Sequence, residues 1–150
     1  MIDKSEFMQI ALEEARKAGE RGEVPVGAVI VDADKNIIAQ AGNRTEELSD
    51  PTAHAEILAI KEACEKLGSP RLIGCSLYVT LEPCPMCAAA ISFARITALY
   101  YAASDPKSGG VDNGAKIFNA SSCHHKPDIY DSICAGEASD LLKDFFKERR

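Results

Sequence analysis

The chain has 150 residues, 46% hydrophobic and 27% charged, with a net charge of −6 and six cysteines. That length supports one compact domain and leaves no room for a second catalytic one, and no apolar run approaches the roughly 20 residues of a membrane span. The acidic balance excludes a general nucleic-acid binder, whose footprint is a basic domain with clustered Lys and Arg, so any RNA contact must be local.

Residues 1–14 carry acids and helical apolar spacing and lack the basic and apolar segments of a secretory signal, so a cytoplasmic location is expected. In that reducing compartment the cysteines are expected as thiols and metal ligands. Phe7, Met8, Ala11, Leu12, Ala15 and Ala18 recur at steps of three and four, which predicts an amphipathic helix over 5–19, closed by Gly19 and Gly22. Two apolar runs, 24–31 and 37–41, flank the turn-forming cluster 32–36 and predict a hairpin. Helical periodicity returns over 54–67, with Thr52 or Asp50 as the expected N-cap and Gly68 as the stop. A buried strand over 76–81, an alanine-rich helix over 85–95 and a strand over 97–102 follow. Beyond a glycine-rich loop, 104–114, a last helix is expected over 137–148. The order α-β-β-α-β-α-β-α predicts an α/β fold of three layers, a mixed sheet covered by helices on both faces.

Two motifs carry chemistry, His54-Ala55-Glu56 at one helix start and Pro83-Cys84-Pro85-Met86-Cys87 where a strand meets the next helix. Each is weak alone, since a C-x-x-C also serves redox and structural zinc sites. Together they form the signature of a zinc deaminase. Zinc with His54, Cys84 and Cys87 as protein ligands keeps a fourth position for water. Two thiolates cancel the ion's formal charge, so it acidifies water less than a three-histidine site would and a neighbouring base is needed. Glu56 is that base. Residues i and i+2 lie about 200° apart on a helix, so His54 and Glu56 can converge only if the metal sits near the helix end. Cys84 and Cys87 then lie at the start of the next helix, where free N–H groups favour thiolates. The alternative is a structural zinc knot with its fourth ligand from Cys123, His124 or His125, a site that needs no Glu beside its His. Cys64, Cys75 and Cys134 read as small core hydrophobes.

Gly42-Asn43-Arg44, Asp50-Pro51-Thr52-Ala53-His54-Ala55-Glu56, Leu77-Tyr78-Val79-Thr80-Leu81-Glu82-Pro83-Cys84 and Met86-Cys87-Ala88 together resemble the bacterial tRNA-specific adenosine deaminases of the cytidine/deoxycytidylate deaminase superfamily. The likeness extends to Ser104-Asp105-Pro106-Lys107, Gly109-Gly110, Cys123-His124-His125 and the closing Phe145-Phe146-Lys147-Glu148-Arg149-Arg150. Ala89 departs from it, standing where those proteins commonly carry Gly. The resemblance implies a cytidine deaminase-like fold with a central five-stranded sheet, one zinc per chain, Glu56 as proton shuttle and a homodimer. It further implies that Asn43 contacts a nucleoside flipped from a tRNA anticodon stem-loop. Asp105 and Lys107 would approach neighbouring nucleotides, and His124 and the last helix would line the RNA surface. Arg44, Lys107, Lys116, Lys126, Lys143, Lys147, Arg149 and Arg150 are the cations available for that contact. A free-base or nucleoside deaminase acting on guanine, cytosine or cytidine would use the same zinc and Glu, but does not need the Asp105 loop or the basic last helix for contacts outside its pocket. A non-catalytic zinc-stabilised interaction module would tolerate any residue at 56.

Overall fold

The computed structural model describes residues 4–149, so Arg150 of the expected basic tail lies outside the described residues. The chain runs α1 (Lys4–Glu20), β1 (Gly27–Val31), β2 (Ile37–Gly42), α2 (Ala55–Leu67), β3 (Ser76–Leu81), α3 (Pro85–Phe93), β4 (Ala98–Ala103), a 3₁₀ turn (Ile117–Asn119), β5 (Asp128–Tyr130) and α4 (Ala135–Glu148). The strands form one mixed sheet in the order β2-β1-β3-β4-β5. β1 is antiparallel to both β2 and β3, whereas β3–β4 and β4–β5 are parallel pairs.

Period-two alternation sends neighbouring residues of one strand into different layers. Val29 and Val31 of β1, with Tyr78 and Tyr100, pack under α1 and α4 through Phe7, Met8, Leu12 and Ala138. Ala28 and Ile30, with Leu77, Val79 and Leu99, pack under α2 and α3 through Ala59, Ala63, Ala88 and Ile91. Every strand residue of β1 and β4 is buried, as strands covered on both faces must be. No helix among the described residues is long and apolar enough to cross a membrane.

The structure departs from the sequence expectations at the element ends. β1 begins at Gly27 instead of residue 24, because Pro25 has no N–H to give a ladder and Val26 N–H folds back onto the Val24 carbonyl at 2.8 Å. α3 stops at Phe93, where Ala94 caps it and Arg95 turns to φ 60°. α4 starts at Ala135, two residues early. β5 has no counterpart among the strands predicted from residue patterns; it is three residues long with an exposed–half-buried–exposed profile. The N-cap of α2 is His54 and neither Thr52 nor Asp50; Asp50 instead accepts from the Thr52 N–H and hydroxyl at 2.8 and 2.7 Å. Gly68 closes α2 in the left-handed conformation at φ 64°, as expected.

Candidate active site

Two helix starts meet at the site. β2 leads through Asn43 and the loop to His54, which holds extended geometry (φ −73°, ψ 153°) just outside α2. That geometry resolves the His54–Glu56 spacing: His54 is not yet helical, while Glu56 is in the first turn. β3 delivers Cys84 as the N-cap of α3, and the following turn presents Cys87. Pro85 begins α3 at no cost, since the first helical N–H has no intrahelical partner.

His54 Nδ1 lies 3.7 Å from Cys84 Sγ and 3.5 Å from Cys87 Sγ. A tetrahedral zinc with Zn–N and Zn–S bonds of usual length sets N···S edges of about 3.5 Å, so the donor set fits the ion. The three ligand atoms all fall within 4.8 Å of one another, and among the described residues no other group of three or more His, Cys, Asp or Glu gathers in this way. Cys123 and His125 are engaged elsewhere, and His124 is exposed. Cys123 Sγ packs 3.4 Å from Ser92 Oγ and donates to the His125 carbonyl at 3.1 Å, and His125 Nε2 meets the Ile96 carbonyl at 2.6 Å.

Charge at the site follows from burial at Glu56 and from hydrogen bonding among His54, Cys84 and Cys87. Glu56 is 4% exposed, and desolvation pushes its carboxyl up to about 7. A carboxyl poised there can accept and return a proton near neutral pH. Cys84 is drawn down to about 4, first by its hydrogen bond with Cys87 and against the cost of burial. Cys87 moves the opposite way, because it bonds to Cys84 and is buried beside Glu56. His54 is raised chiefly by the Cys84 sulfur.

Asn43 is at the site but already engaged. Its Oδ1 accepts the Ala55 N–H at 2.8 Å, the capping role expected of Thr52 or Asp50, and its Nδ2 donates to the Val24 carbonyl at 3.1 Å. One amide hydrogen and one lone pair remain for a ligand. Asp105 and Lys107 border a cleft of about 730 Å³ with Leu142, Phe146 and Arg149 of α4 and its cap. His124 borders a different cleft, of about 180 Å³, with Ala89, Phe93 and Arg95. The structure therefore unites Asp105 and Lys107 with the last helix and places His124 apart from them. Arg44 is partly neutralised by Glu47, which bonds both its Nε and its Nη2, and Arg149 stacks 3.7 Å over the Phe145 ring.

Sequence reasoning missed two buried acids. Glu23 accepts the Glu46 and Glu47 N–H groups at 3.1 and 2.9 Å and so holds the loop that leads to His54. Glu82 grips the 104–113 loop; burial works against its charge, yet the N–H donors of Asp105, Asn113 and Val111 hold its carboxyl below the ordinary value. The available signal was a lone acid at the end of the buried run Leu77-Tyr78-Val79-Thr80-Leu81, immediately before the cysteine motif.

A sequence model of the cytidine and deoxycytidylate deaminase zinc-binding region matches residues 1–103. The tRNA-specific adenosine deaminase of Agrobacterium fabrum is 57% identical over 150 residues, covering all of this chain and 98% of the relative. A structure solved in studies of A-to-I editing by tRNA:A34 deaminases at the wobble position of transfer RNA superposes with a TM-score of 0.91 at 58% identity, over 93% of this chain and all of that one. The guanine deaminase of Bacillus subtilis is 44% identical with a TM-score of 0.66, over 69% of this chain and 66% of its own.

Proposed function

Because the chain belongs to the cytidine and deoxycytidylate deaminase family, we propose that it converts adenosine to inosine at the wobble position of a tRNA anticodon loop. Water replaces the 6-amino group of adenine, giving the 6-oxo base and ammonia. His54, Cys84 and Cys87 would hold one zinc, which when bound supplies Lewis acidity toward that water. Glu56 takes one proton from the attacking water and passes it to N1 of the purine ring. It then takes the second proton from the hydroxyl added at C6 and passes it to the amine, which leaves as ammonia while the C6 oxygen becomes the 6-oxo group. Its burial keeps the proton from exchanging with bulk solvent between the two transfers. Asn43 offers its remaining amide hydrogen and lone pair to the flipped nucleoside. Asp105 and Lys107 meet the neighbouring nucleotides at the cleft bordered by Phe146 and Arg149, and His124 contacts RNA farther along. An anticodon loop suits this site because its bases are already unpaired, so extruding one costs less than the few kcal/mol needed in a duplex.

One observation carries the substrate: the likeness to wobble adenosine deaminases runs through the 104–149 segment that lies beyond the zinc-binding region. A purine-base deaminase is the second reading, favoured by the shorter likeness to guanine deaminase. Purified enzyme offered an anticodon stem-loop with wobble adenosine, beside adenosine, cytidine, cytosine and guanine, is expected to release inosine and ammonia from the stem-loop. Efficient turnover of guanine with the stem-loop untouched would overturn the tRNA reading and leave the zinc chemistry standing.

The 150 residues act as a single deaminase domain in the cytoplasm, where the tRNA substrate is. The chain works as a homodimer through α3. On α3, Ala88 and Ile91 are consumed by the core, but Phe93 is 80% exposed beside half-buried Ala89 and Ala90 and offers an apolar face for that contact. Light scattering at micromolar concentration is expected to give twice the chain mass; a monomer mass would remove the dimer.

A further inference from the structure

Glu82 is a buried carboxylate that the deamination chemistry does not use, and it receives six hydrogen bonds from one loop. Its Oε2 accepts the backbone N–H groups of Val111, Asp112 and Asn113 at 3.1, 3.0 and 3.1 Å. Its Oε1 accepts the Asp105 N–H at 3.0 Å, Asn113 Nδ2 at 2.6 Å and the Ser104 hydroxyl at 3.4 Å. Successive N–H groups converging on one oxygen form an anion nest, here filled by the protein's own side chain. The loop is shaped for that contact. A Cβ on Gly109 would stand 2.4 Å from Glu82 Oε2, and one on Gly110 would stand 2.5 Å from Pro85 N. Gly110 N–H also bonds the Pro83 carbonyl at 2.8 Å, one residue before Cys84. From β4, Tyr101 gives its hydroxyl to Asp112 and fixes the far side.

The same loop lines the 730 Å³ cleft through Ser104, Asp105, Lys107 and Ser108. The Asp105 side chain accepts the Lys107 and Ser108 N–H groups at 3.2 and 3.0 Å, so the position of Asp105 sets that whole turn. We propose that Glu82 is a positioning residue for the polynucleotide part of the substrate: its carboxylate locks the 104–113 loop against the cysteine turn, so that the flanking-nucleotide cleft is held in register with the zinc ligands. This rests on the tRNA reading for the identity of the substrate, but not for the lock itself.

Glu82→Gln separates the two halves of the lock. A glutamine that keeps its oxygen on the Val111–Asn113 nest turns its amide nitrogen toward the Asp105 N–H and Asn113 Nδ2, donor against donor; the flipped amide loses the nest instead. Either way the loop holds its binding shape for a smaller fraction of the time, and apparent affinity falls by that fraction. Losing buried partners on this scale is expected to raise KM for the wobble stem-loop about tenfold, while kcat and zinc content stay at wild-type levels. Amide hydrogen exchange, which needs no substrate, is expected to accelerate at Asp105 or at Val111–Asn113. The double variant Glu82→Gln with Asn113→Asp restores a donor–acceptor pair between the two side chains, the amide nitrogen at 82 now donating to the carboxylate at 113, and should recover part of the KM loss. Glu82 would be refuted in this role by an unchanged KM with unchanged exchange, or by kcat and zinc falling in step with KM, the signs of a bystander or of a general structural loss. If wild-type enzyme leaves the stem-loop untouched, the substrate reading alone has failed, and the exchange rates decide whether Glu82 locks the loop.

Discussion

The zinc-ligand centre and the rim around it are built on different principles. His54, Glu56, Cys84 and Cys87 sit on two helix starts delivered by a five-stranded sheet, and short-range geometry with burial sets their charges. The 104–113 loop has no regular structure and takes its shape from a carboxylate 22 to 31 residues away in sequence. The 3₁₀ turn and the exposed stretch around His124 follow it. The centre is therefore the part expected to fail all at once, and the rim the part expected to change by degrees.

Removal of the metal should give the largest effect. Dialysis against a chelator is expected to take turnover to the detection limit and zinc to none per chain, and added zinc should restore both; activity surviving complete zinc removal would show that the centre does not work through the metal. Glu56→Ala comes next. It leaves the three ligands in place, so zinc should remain near one per chain while turnover drops about 10² to 10⁴-fold, the usual worth of a positioned acid–base group. A variant with near wild-type turnover would take the proton shuttle away from Glu56.

The rim should respond more gently and in a different observable. Lys107 is exposed and borders the cleft with Arg149, so as a phosphate contact it contributes to affinity through counterion release. Lys107→Ala is expected to weaken stem-loop binding several-fold and to reduce the slope of log affinity against log salt by roughly 0.7 to 1. Zinc content and the rate at saturating stem-loop should be unaffected. An unchanged salt slope would mean that Lys107 does not meet a phosphate.

This division also explains what could be read from the chain. His54, Cys84 and Cys87 were legible because their spacing and their places at helix starts are local facts. Four strands were legible by alternation or by continuous apolar runs, whereas 128–130 is too short and too exposed to carry a pattern of its own and exists by pairing with β4. The cap of α2 was misread for the same reason: Asp50 and Thr52 are good capping residues by type, but Asn43, 12 residues before Ala55, supplies the bond. Glu23 and Glu82 have no role assigned from the sequence. Their role depends on backbone N–H groups from distant loops, and the one local sign is the place of Glu82 at the end of the buried run 77–81.

The smallest effect is expected at Cys123, and it bears directly on whether the centre is closed to the rim. Cys123, His124 and His125 are the remaining Cys and His ligands that stand together, so a four-ligand structural zinc would have to recruit from this segment. The structure gives Cys123 another occupation: its thiol donates to the His125 carbonyl and lies against Ser92 Oγ and the core. Cys123→Ser keeps a hydroxyl donor for that carbonyl and loses only the sulfur's packing. Such a change should cost about 1 kcal/mol, seen as a Tm lower by roughly 2–4 °C for a chain of this size. Zinc should stay at one per chain, and turnover should not move. X-ray absorption of the loaded variant is then expected to show the same two sulfur ligands as wild type. A loss of zinc or of one sulfur from the spectrum would instead place Cys123 in the first coordination sphere, filling the position that hydrolysis requires for water.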